Sequence, residues 1–228
     1  MLHIMEKTIN IIEKFKSIQG EGIHSGLPTF FIRLAGCNLR CSYCDTKYAY
    51  GKGVITDIKI LVEEAKIQGV KFICITGGEP LNQANTKTLM MALLKAGFQL
   101  DIETNGSMDI AKFPNSNHVL YSLDIKCPSS LMHKSMHFDN LKVLKQKDQV
   151  KFIMKSRLDY QFAKDVIKKY NLIGKTNIIF SPIGGVKADK LAQWVLEDNL
   201  QVRIGIQLHK IIWKSERKEL ILKSAKKK

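Results

Sequence analysis

Cys37-Asn38-Leu39-Arg40-Cys41-Ser42-Tyr43-Cys44 places three of the chain's five cysteines within eight residues. Thiolates bunched this tightly on a loop suit a soft metal or a redox pair. A structural disulfide is disfavoured, because three is odd and nothing marks the chain as secreted. Structural zinc is closed by four ligands, and no further cysteine or histidine follows at ribbon or finger spacing. An iron–sulfur cluster accepts three protein thiolates and leaves one iron for another ligand, so the spacing favours a cluster over zinc. Two further stretches carry a carboxylate beside glycines that let backbone approach a ligand closely: Gln19-Gly20-Glu21-Gly22 and Gly77-Gly78-Glu79-Pro80.

The elements that must position these motifs alternate in type. Ile9 to Gln19 reads as an extended segment, and Thr29–Leu34 as a strand leading into the cysteine loop. Thr56 is the expected N-cap of a helix with Ile58, Leu61, Val62 and Ala65 on one face, stopped by Gly69. Lys71–Thr76 reads as a buried strand, with Cys74 as a core residue, and Asn85 caps a helix over Thr86–Ala96 that turns Leu89, Leu93 and Leu94 inward. Strands follow at Gln99–Thr104, His118–Ile125, Val150–Met154, Asn177–Phe180 and Val202–Gln207. Between them lie a partly helical lysine-rich stretch to Lys147, a helix capped by Asp159 and displaying Phe162, Val166, Ile167 and Tyr170, and a helix over Lys187–Asp198 burying Leu191, Trp194 and Val195.

Strands alternating with amphipathic helices give a parallel α/β sheet with right-handed crossovers. A closed eight-unit barrel needs roughly 250 residues. The 228 residues here offer about six βα units plus an N-terminal extension, which predicts an open, partial (β/α)6 TIM-like barrel. Every polar motif falls where a strand gives way to the next loop, the face on which such folds keep their chemistry.

Length and apolar content suit one domain. No apolar run approaches the roughly 20 residues of a membrane span, and the N-terminus lacks a signal-peptide core. A cytoplasmic, reducing setting is expected. The net charge of +15 invites a nucleic-acid reading. Lysines that solvate helices and trail off from Lys223 to Lys228 account for much of it, and no basic run is interleaved with aromatics as a stacking platform would be. Direct nucleic-acid binding is therefore not expected; attraction of small anionic substrates fits the charge equally well.

The cysteine spacing, the aromatic Tyr43 before the third cysteine and the downstream Gly77-Gly78-Glu79-Pro80 together resemble the radical S-adenosylmethionine (SAM) superfamily. Ser17-Ile18-Gln19-Gly20-Glu21-Gly22, Gly26, Pro28, Phe31, Arg33, Gly36 and Asp45-Thr46 are similar to the 7-carboxy-7-deazaguanine synthases within it. So are Glu103-Thr104-Asn105-Gly106, Asp124-Ile125-Lys126-Cys127-Pro128 and Gln207-Leu208-His209-Lys210, so the likeness runs from about Ser17 to Lys210. It implies a radical SAM barrel over 29–210, an N-terminal extension with a substrate-binding loop over 1–28 and a basic tail over 211–228. The implied reaction is a lyase step, 6-carboxy-5,6,7,8-tetrahydropterin to 7-carboxy-7-deazaguanine with loss of ammonia, on the way to queuosine or archaeosine. It is started by a 5′-deoxyadenosyl radical, with Mg²⁺ assisting. The implied partners are an electron donor such as flavodoxin or ferredoxin and a second copy of the chain in a homodimer.

The resemblance also implies roles. Cys37, Cys41 and Cys44 hold a [4Fe–4S] cluster, and Thr46 offers a hard oxygen to Mg²⁺. Tyr43, Gly77, Gly78, Glu79, Thr104, Asp124, Ile125, Lys126 and Ser181 bind SAM, with Glu79 accepting its ammonium. Ile18, Gln19, Gly20, Glu21, Arg33, Thr76 and His209 bind the pterin, Arg33 and His209 at its carboxylate. Taken singly, Arg33 reads as an ion-paired strand residue, Thr46 as an N-cap, and His209 and Cys127 as structural. Two departures from the family are visible: the cysteine loop is the short superfamily form, and the chain ends in lysines. Rival readings are a glycyl-radical-enzyme activase, which leaves Gln-Gly-Glu-Gly without a task, and a non-enzymatic iron–sulfur or zinc module binding RNA, which leaves Gly-Gly-Glu-Pro unexplained.

Overall fold

The computed structural model describes residues 7–213, so the lysine tail lies outside the described residues. One nine-stranded sheet runs through them in the order β3-β1-β2-β4-β5-β6-β7-β8-β9. The strands are β1 (Thr8–Ile18), β2 (Pro28–Leu34), β3 (Val54–Asp57), β4 (Phe72–Gly77), β5 (Gln99–Thr104), β6 (Val119–Ile125), β7 (Gln149–Met154), β8 (Asn177–Pro182) and β9 (Arg203–Ile204). From β2 onward every neighbour is parallel, whereas β1 lies antiparallel to both β2 and β3. The parallel run has seven strands, β2 and β4 to β8 as the six of the expected partial barrel and the short β9 closing the series. No helix among the described residues is long and apolar enough to cross a membrane.

Residues alternate in the strands, and the alternation assigns the two faces. Ile32, Ile75, Ile102, Leu123 and Phe152 are fully buried in the apolar core, where the crossover helices α2 (Thr86–Lys95), α4 (Arg157–Tyr170) and α5 (Ala188–Glu197) pack on β5, β7 and β8. Their strand neighbours Arg33, Thr76, Glu103, Asp124 and Lys151 line a cavity on the other face. A two-residue period therefore separates packing from chemistry along each strand.

Several local expectations are corrected. Thr56 is not a cap: it sits in β3, its hydroxyl donating to Val54 O at 3.2 Å, and Asp57 caps α1 (Ile58–Ile67) by accepting from Lys59 N at 2.7 Å. Asp159 is the third helical residue of α4, and Ser156 is its cap. The two form a reciprocal capping box, a device worth about 1 kcal/mol. Asn85 precedes α2 without capping it, because its amide donates to Thr8 O at 2.8 Å. In α2 Leu89 and Leu93 are fully buried as expected, but Met90 joins them in place of Leu94, which is only half-buried, as is Trp194 on α5. The lysine-rich stretch forms only α3 (Asn140–Val143) and isolated 3-10 turns. The last strand shrinks to Arg203–Ile204, and residues beyond it turn into α6 (Leu208–Ile212).

Candidate active site

The inward face and C-terminal ends of the parallel strands, with the β1–β2 loop at their N-terminal ends, enclose a cavity of about 830 Å³. The cysteine loop forms one end. Cys37, Cys41 and Cys44 are free, half-buried and exposed to the cavity. Burial pushes the Cys37 and Cys41 thiols above their ordinary range, and negative charge on the other loop thiols adds to this, so the sulfurs lie close enough to feel one another. Among the described residues no three His, Cys, Asp or Glu converge as a site for a single metal ion. A cubane takes one thiolate at each of three corners, so thiols arranged around the end of a cavity suit a cluster better than zinc. Leu39 N–H at 3.5 Å and the Asn105 amide at 3.8 Å both donate to Cys37 Sγ, the kind of contact that tunes a cluster.

The Gly-Gly-Glu-Pro turn is pressed against the root of this loop. Gly77 has φ +146°, and a Cβ there would lie 2.2 Å from Leu34 O. A Cβ on Gly78 would lie 2.1 Å from Gly36 O. Both positions therefore require glycine. Glu79 N donates to Gly36 O at 2.8 Å and Gly78 N to Leu34 O at 3.1 Å. On the other side Ser42 donates through N and Oγ to Ser130 O and Ser129 O, at 3.1 and 2.7 Å. Tyr43 lines the cavity, its hydroxyl donating to Ile153 O at 3.3 Å.

Glu79 itself is fully buried and outside the cavity lining. Its Oε1 accepts from Leu81 N at 3.0 Å and Thr104 Oγ1 at 2.8 Å, and its Oε2 from Asn105 N at 2.7 Å. Burial raises its pKa to about 7 against the pull of those three donors. The carboxylate is spent on the protein, so its effect on any ligand passes through the turn it organises. Thr104 reaches the cavity wall with its hydroxyl already committed to Glu79.

Asp124 and Lys126 both line the cavity and pair at 2.7 Å through Oδ2 and Nζ. Burial opposes the Lys126 charge, but Asp124 and Cys41 outweigh it and raise its pKa. The remaining Asp124 Oδ1 is buried without a hydrogen-bond partner. An orphaned acceptor in a cavity wall suits a ligand hydroxyl, as on a ribose. Ile125 is fully buried in the core, and Ser181 is half-buried beside Gly205; neither lines the cavity. Thr46 does, with its hydroxyl donating to Asp45 Oδ1 at 2.8 Å. It holds an N-cap position but makes no capping bond.

The opposite end is made by the Gln19–Gly22 loop and α6. The loop is closed by Gln19 N to Leu27 O at 2.8 Å and Gly26 N to Gln19 O at 2.9 Å. Leu208 N donates to Gly20 O at 2.9 Å, and His209 packs so closely that a Cβ on Gly20 would lie 2.0 Å from its Nδ1. Burial lowers the His209 pKa. Glu21 accepts from Gln207 Nε2 at 2.7 Å and from Lys151 Nζ at 3.1 Å, and Lys151 also donates to Glu103 Oε2 at 2.6 Å. The Lys151 charge holds Glu21 down to about 2 although burial opposes it. Arg33 lines the cavity while its Nε donates to Glu13 Oε1 at 2.6 Å, an oxygen it shares with the Tyr48 hydroxyl. It is thus both an ion-paired strand residue and a cavity residue. Ile18, Gln19, Gly20, Glu21 and Thr76 also reach the cavity.

Lys151, Glu13 and a role for Glu103 escaped the sequence reading. A usable signal existed: Glu103, Asp124 and Lys151 are charged residues at cavity-facing positions of otherwise apolar strands, which in a fully buried sheet demands a purpose.

The Radical SAM superfamily pattern matches residues 31–190. The 7-carboxy-7-deazaguanine synthase of Clostridium acetobutylicum is 41% identical over 210 residues, covering 89% of this chain and 95% of its own length. That of Methanospirillum hungatei is 42% identical over 205 residues, covering 90% and 85%. Among solved structures, QueE from Escherichia coli shares the fold with a TM-score of 0.71 at 21% identity, over 92% of this chain and 99% of that one. Streptococcus suis SuiB bound to S-adenosylmethionine does so more distantly, with a TM-score of 0.53 at 14% identity over 74% and 44%. Identity at this level over about nine-tenths of its length makes the chain a member of the 7-carboxy-7-deazaguanine synthase family within the radical SAM superfamily.

Proposed function

We propose that the chain converts 6-carboxy-5,6,7,8-tetrahydropterin to 7-carboxy-7-deazaguanine with loss of ammonia, as a lyase of 7-deazapurine biosynthesis. The family's cofactors are a [4Fe–4S] cluster, SAM and Mg²⁺. The observation that carries this reading is one cavity lined by the three loop thiols and also by Glu21, Arg33 and His209. SAM, when bound and reduced by one electron, supplies the 5′-deoxyadenosyl radical that starts the ring contraction.

The chain's own groups divide the remaining work. Cys37, Cys41 and Cys44 hold the cluster. Gly77 and Gly78 admit the methionine part of SAM, Tyr43 lies along its adenosyl group, and Asp124 Oδ1 accepts from a sugar hydroxyl. Lys126 faces the SAM carboxylate, and Thr46 with Asp45 offers oxygens to Mg²⁺. Backbone at Ile18, Gln19 and Gly20, with the ionised Glu21, reads the donor edge of the pterin. Arg33 and His209 hold its carboxylate, and Thr76 packs beside it. Thr104 stands in the wall with its hydroxyl on Glu79, and Glu79, Ile125 and Ser181 support these groups from behind it. The described residues, 7–213, act as one domain.

Arg33 provides the test. Arg33→Ala should keep the cluster and SAM affinity yet lose roughly ten- to a hundredfold in carboxypterin affinity. Arg33→Lys should restore only part, because an ammonium cannot match the bidentate fork. Anaerobic binding with SAM present, comparing the acid with its decarboxylated analogue, reads this directly. A mutant that keeps full preference for the acid makes Arg33 a structural residue and removes the main support for the substrate. An oxygen-sensitive [4Fe–4S] cluster on Cys37, Cys41 and Cys44 supports a reducing, cytoplasmic setting. An acidic flavodoxin or ferredoxin as donor and a homodimeric state are tested by anaerobic reduction with each protein and by sedimentation.

A further inference from the structure

Lys151 belongs to no motif, yet it occupies the centre of the pterin end. It rises from the middle of β7 with a side chain only 7% exposed, and its ammonium bridges Glu103 on β5 and Glu21 on the substrate loop. We propose that Lys151 is the specificity-determining positioning residue of this enzyme: it fixes Glu21 in place, ionised, as an acceptor for the N–H-rich, guanidine-like edge of the reduced pterin. This rests on the substrate reading above.

The argument is one of charge and geometry. A carboxylate presents acceptors alone to a donor edge only while it is unprotonated, since a proton turns one of its oxygens into a donor, and it reads that edge only if it does not turn away. Three groups anchor Glu21: Lys151 on Oε2, Gln207 on Oε1 and the loop hydrogen bonds that close Gln19 to Gly26 and Leu27. A carboxylate has about four acceptor sites, so two protein donors leave room for a ligand. Glu103 takes the other side of the ammonium at 2.6 Å, so Lys151 cannot swing toward the substrate and displace it. The trio carries two negative charges and one positive. It presents a net negative wall to a donor-rich edge, while Arg33 stands in the same cavity for the carboxylate.

Lys151 is not a proton donor in this arrangement. Glu103, Glu21 and Asp124 face it and raise its pKa well above the ordinary value, although burial and the nearby Lys126 oppose them. Glu21 faces Lys151, Gln207 and His209, which favour its ionised form, while burial and the like charge of Glu103 work against it. Removing the ammonium would leave that burial opposed by Gln207 and His209 alone. Glu21 would then titrate higher, and pterin binding would weaken as pH falls.

Lys151→Met alone leaves two buried carboxylates without their cation and is expected to fold poorly. The informative variant is Lys151→Met/Glu103→Gln, which removes one charge of each sign and keeps the net charge of the trio. The holoenzyme, anaerobic and with SAM present, is titrated with 6-carboxytetrahydropterin and with its 2-oxo analogue, which replaces the 2-amino donor by an acceptor. Wild type should prefer the 2-amino compound and hold its affinity from pH 7.5 to 5.5. The double variant should lose at least tenfold of that preference, and its pterin affinity should fall over the same pH range while SAM affinity stays unchanged. Lys151→Arg should restore most of the preference, since it keeps a cation between the carboxylates. A double variant that keeps wild-type preference and a flat pH profile overturns this inference alone. Wild type that binds neither pterin overturns the substrate reading, and this inference with it.

Discussion

Glu79 and Glu21 are carboxylates at the two ends of one cavity, and they stand in opposite electrostatic states. Glu79 receives three hydrogen bonds from neutral donors and is still lifted to about 7 by burial. Glu21 receives one bond from an amide and one from an ammonium and is held near 2. Neutral donors do not offset the loss of water, whereas a single buried cation does. The difference separates two styles of construction. The cluster end is a frame of backbone contacts, with Gly77 and Gly78 seated against Leu34 and Gly36. The pterin end is a set of side-chain charges whose partners can be exchanged one at a time.

If the contrast holds, substitutions at the cluster end destroy loading or folding, and those at the pterin end change selectivity. The largest effect belongs to the thiols. Cys37→Ala, Cys41→Ala and Cys44→Ala should each lose most of the bound iron and the ~400 nm absorbance after anaerobic reconstitution. Cys74→Ala and Cys127→Ala should retain both: Cys127 is buried in the core, and Cys74, expected in the core, lies instead on the cavity face of β4, buried but outside the cysteine loop. Iron retained by all three loop variants would remove the cluster from this end.

Next comes Glu79→Ala. It strands the Thr104 hydroxyl and the Leu81 and Asn105 N–H groups in a dry interior, and should cost about 3 kcal/mol in denaturant unfolding of the apoprotein. SAM affinity should fall along with the stability of the turn. Unchanged stability would mean that the turn is held by its glycines alone. The smallest effect is at Glu21. Its depressed pKa contributes stability that is present above its ordinary 4.5 and lost as pH falls through about 2. Unfolding curves of Glu21→Gln should therefore depend less on pH across that interval than those of wild type. An identical acid limb in both proteins would show that Lys151 does not hold this carboxylate down.

The alternation of strand and helix was legible because it is written in local periods. Gln99–Thr104 was bounded to the residue. β3 was missed because Val54 and Ile55 are exposed on an edge strand of four residues between Gly53 and a helix, a pattern with no buried alternate to announce it. The capping errors share a cause: in Thr56-Asp57 and Ser156-x-x-Asp159 two adjacent or paired residues can both cap, and tertiary geometry chooses. At the site, most of the residues expected from the resemblance reach the cavity, because their motifs sit at strand ends. Glu79 was misplaced because sequence does not reveal which way a carboxylate on a turn points. Lys151 was invisible because its meaning lies in Glu103 and Glu21, 48 and 130 residues away along the chain.

The bond from Gln207 to Glu21 spans 186 residues. The contacts that seat the Gly-Gly-Glu turn against the cysteine loop, and tie Glu79 to Asn105, all lie between positions 34 and 105. A chain made from its N-terminus therefore has the cysteine loop and the Gly-Gly-Glu turn in hand while Gln207 and Leu208, which bond Glu21 and Gly20, are still untranslated. Pairings across such a separation are the slow ones, since the whole intervening chain must be ordered before they hold. Closure of the substrate end therefore depends on the whole chain, whereas the turn and loop of the cluster end are joined by contacts short in sequence.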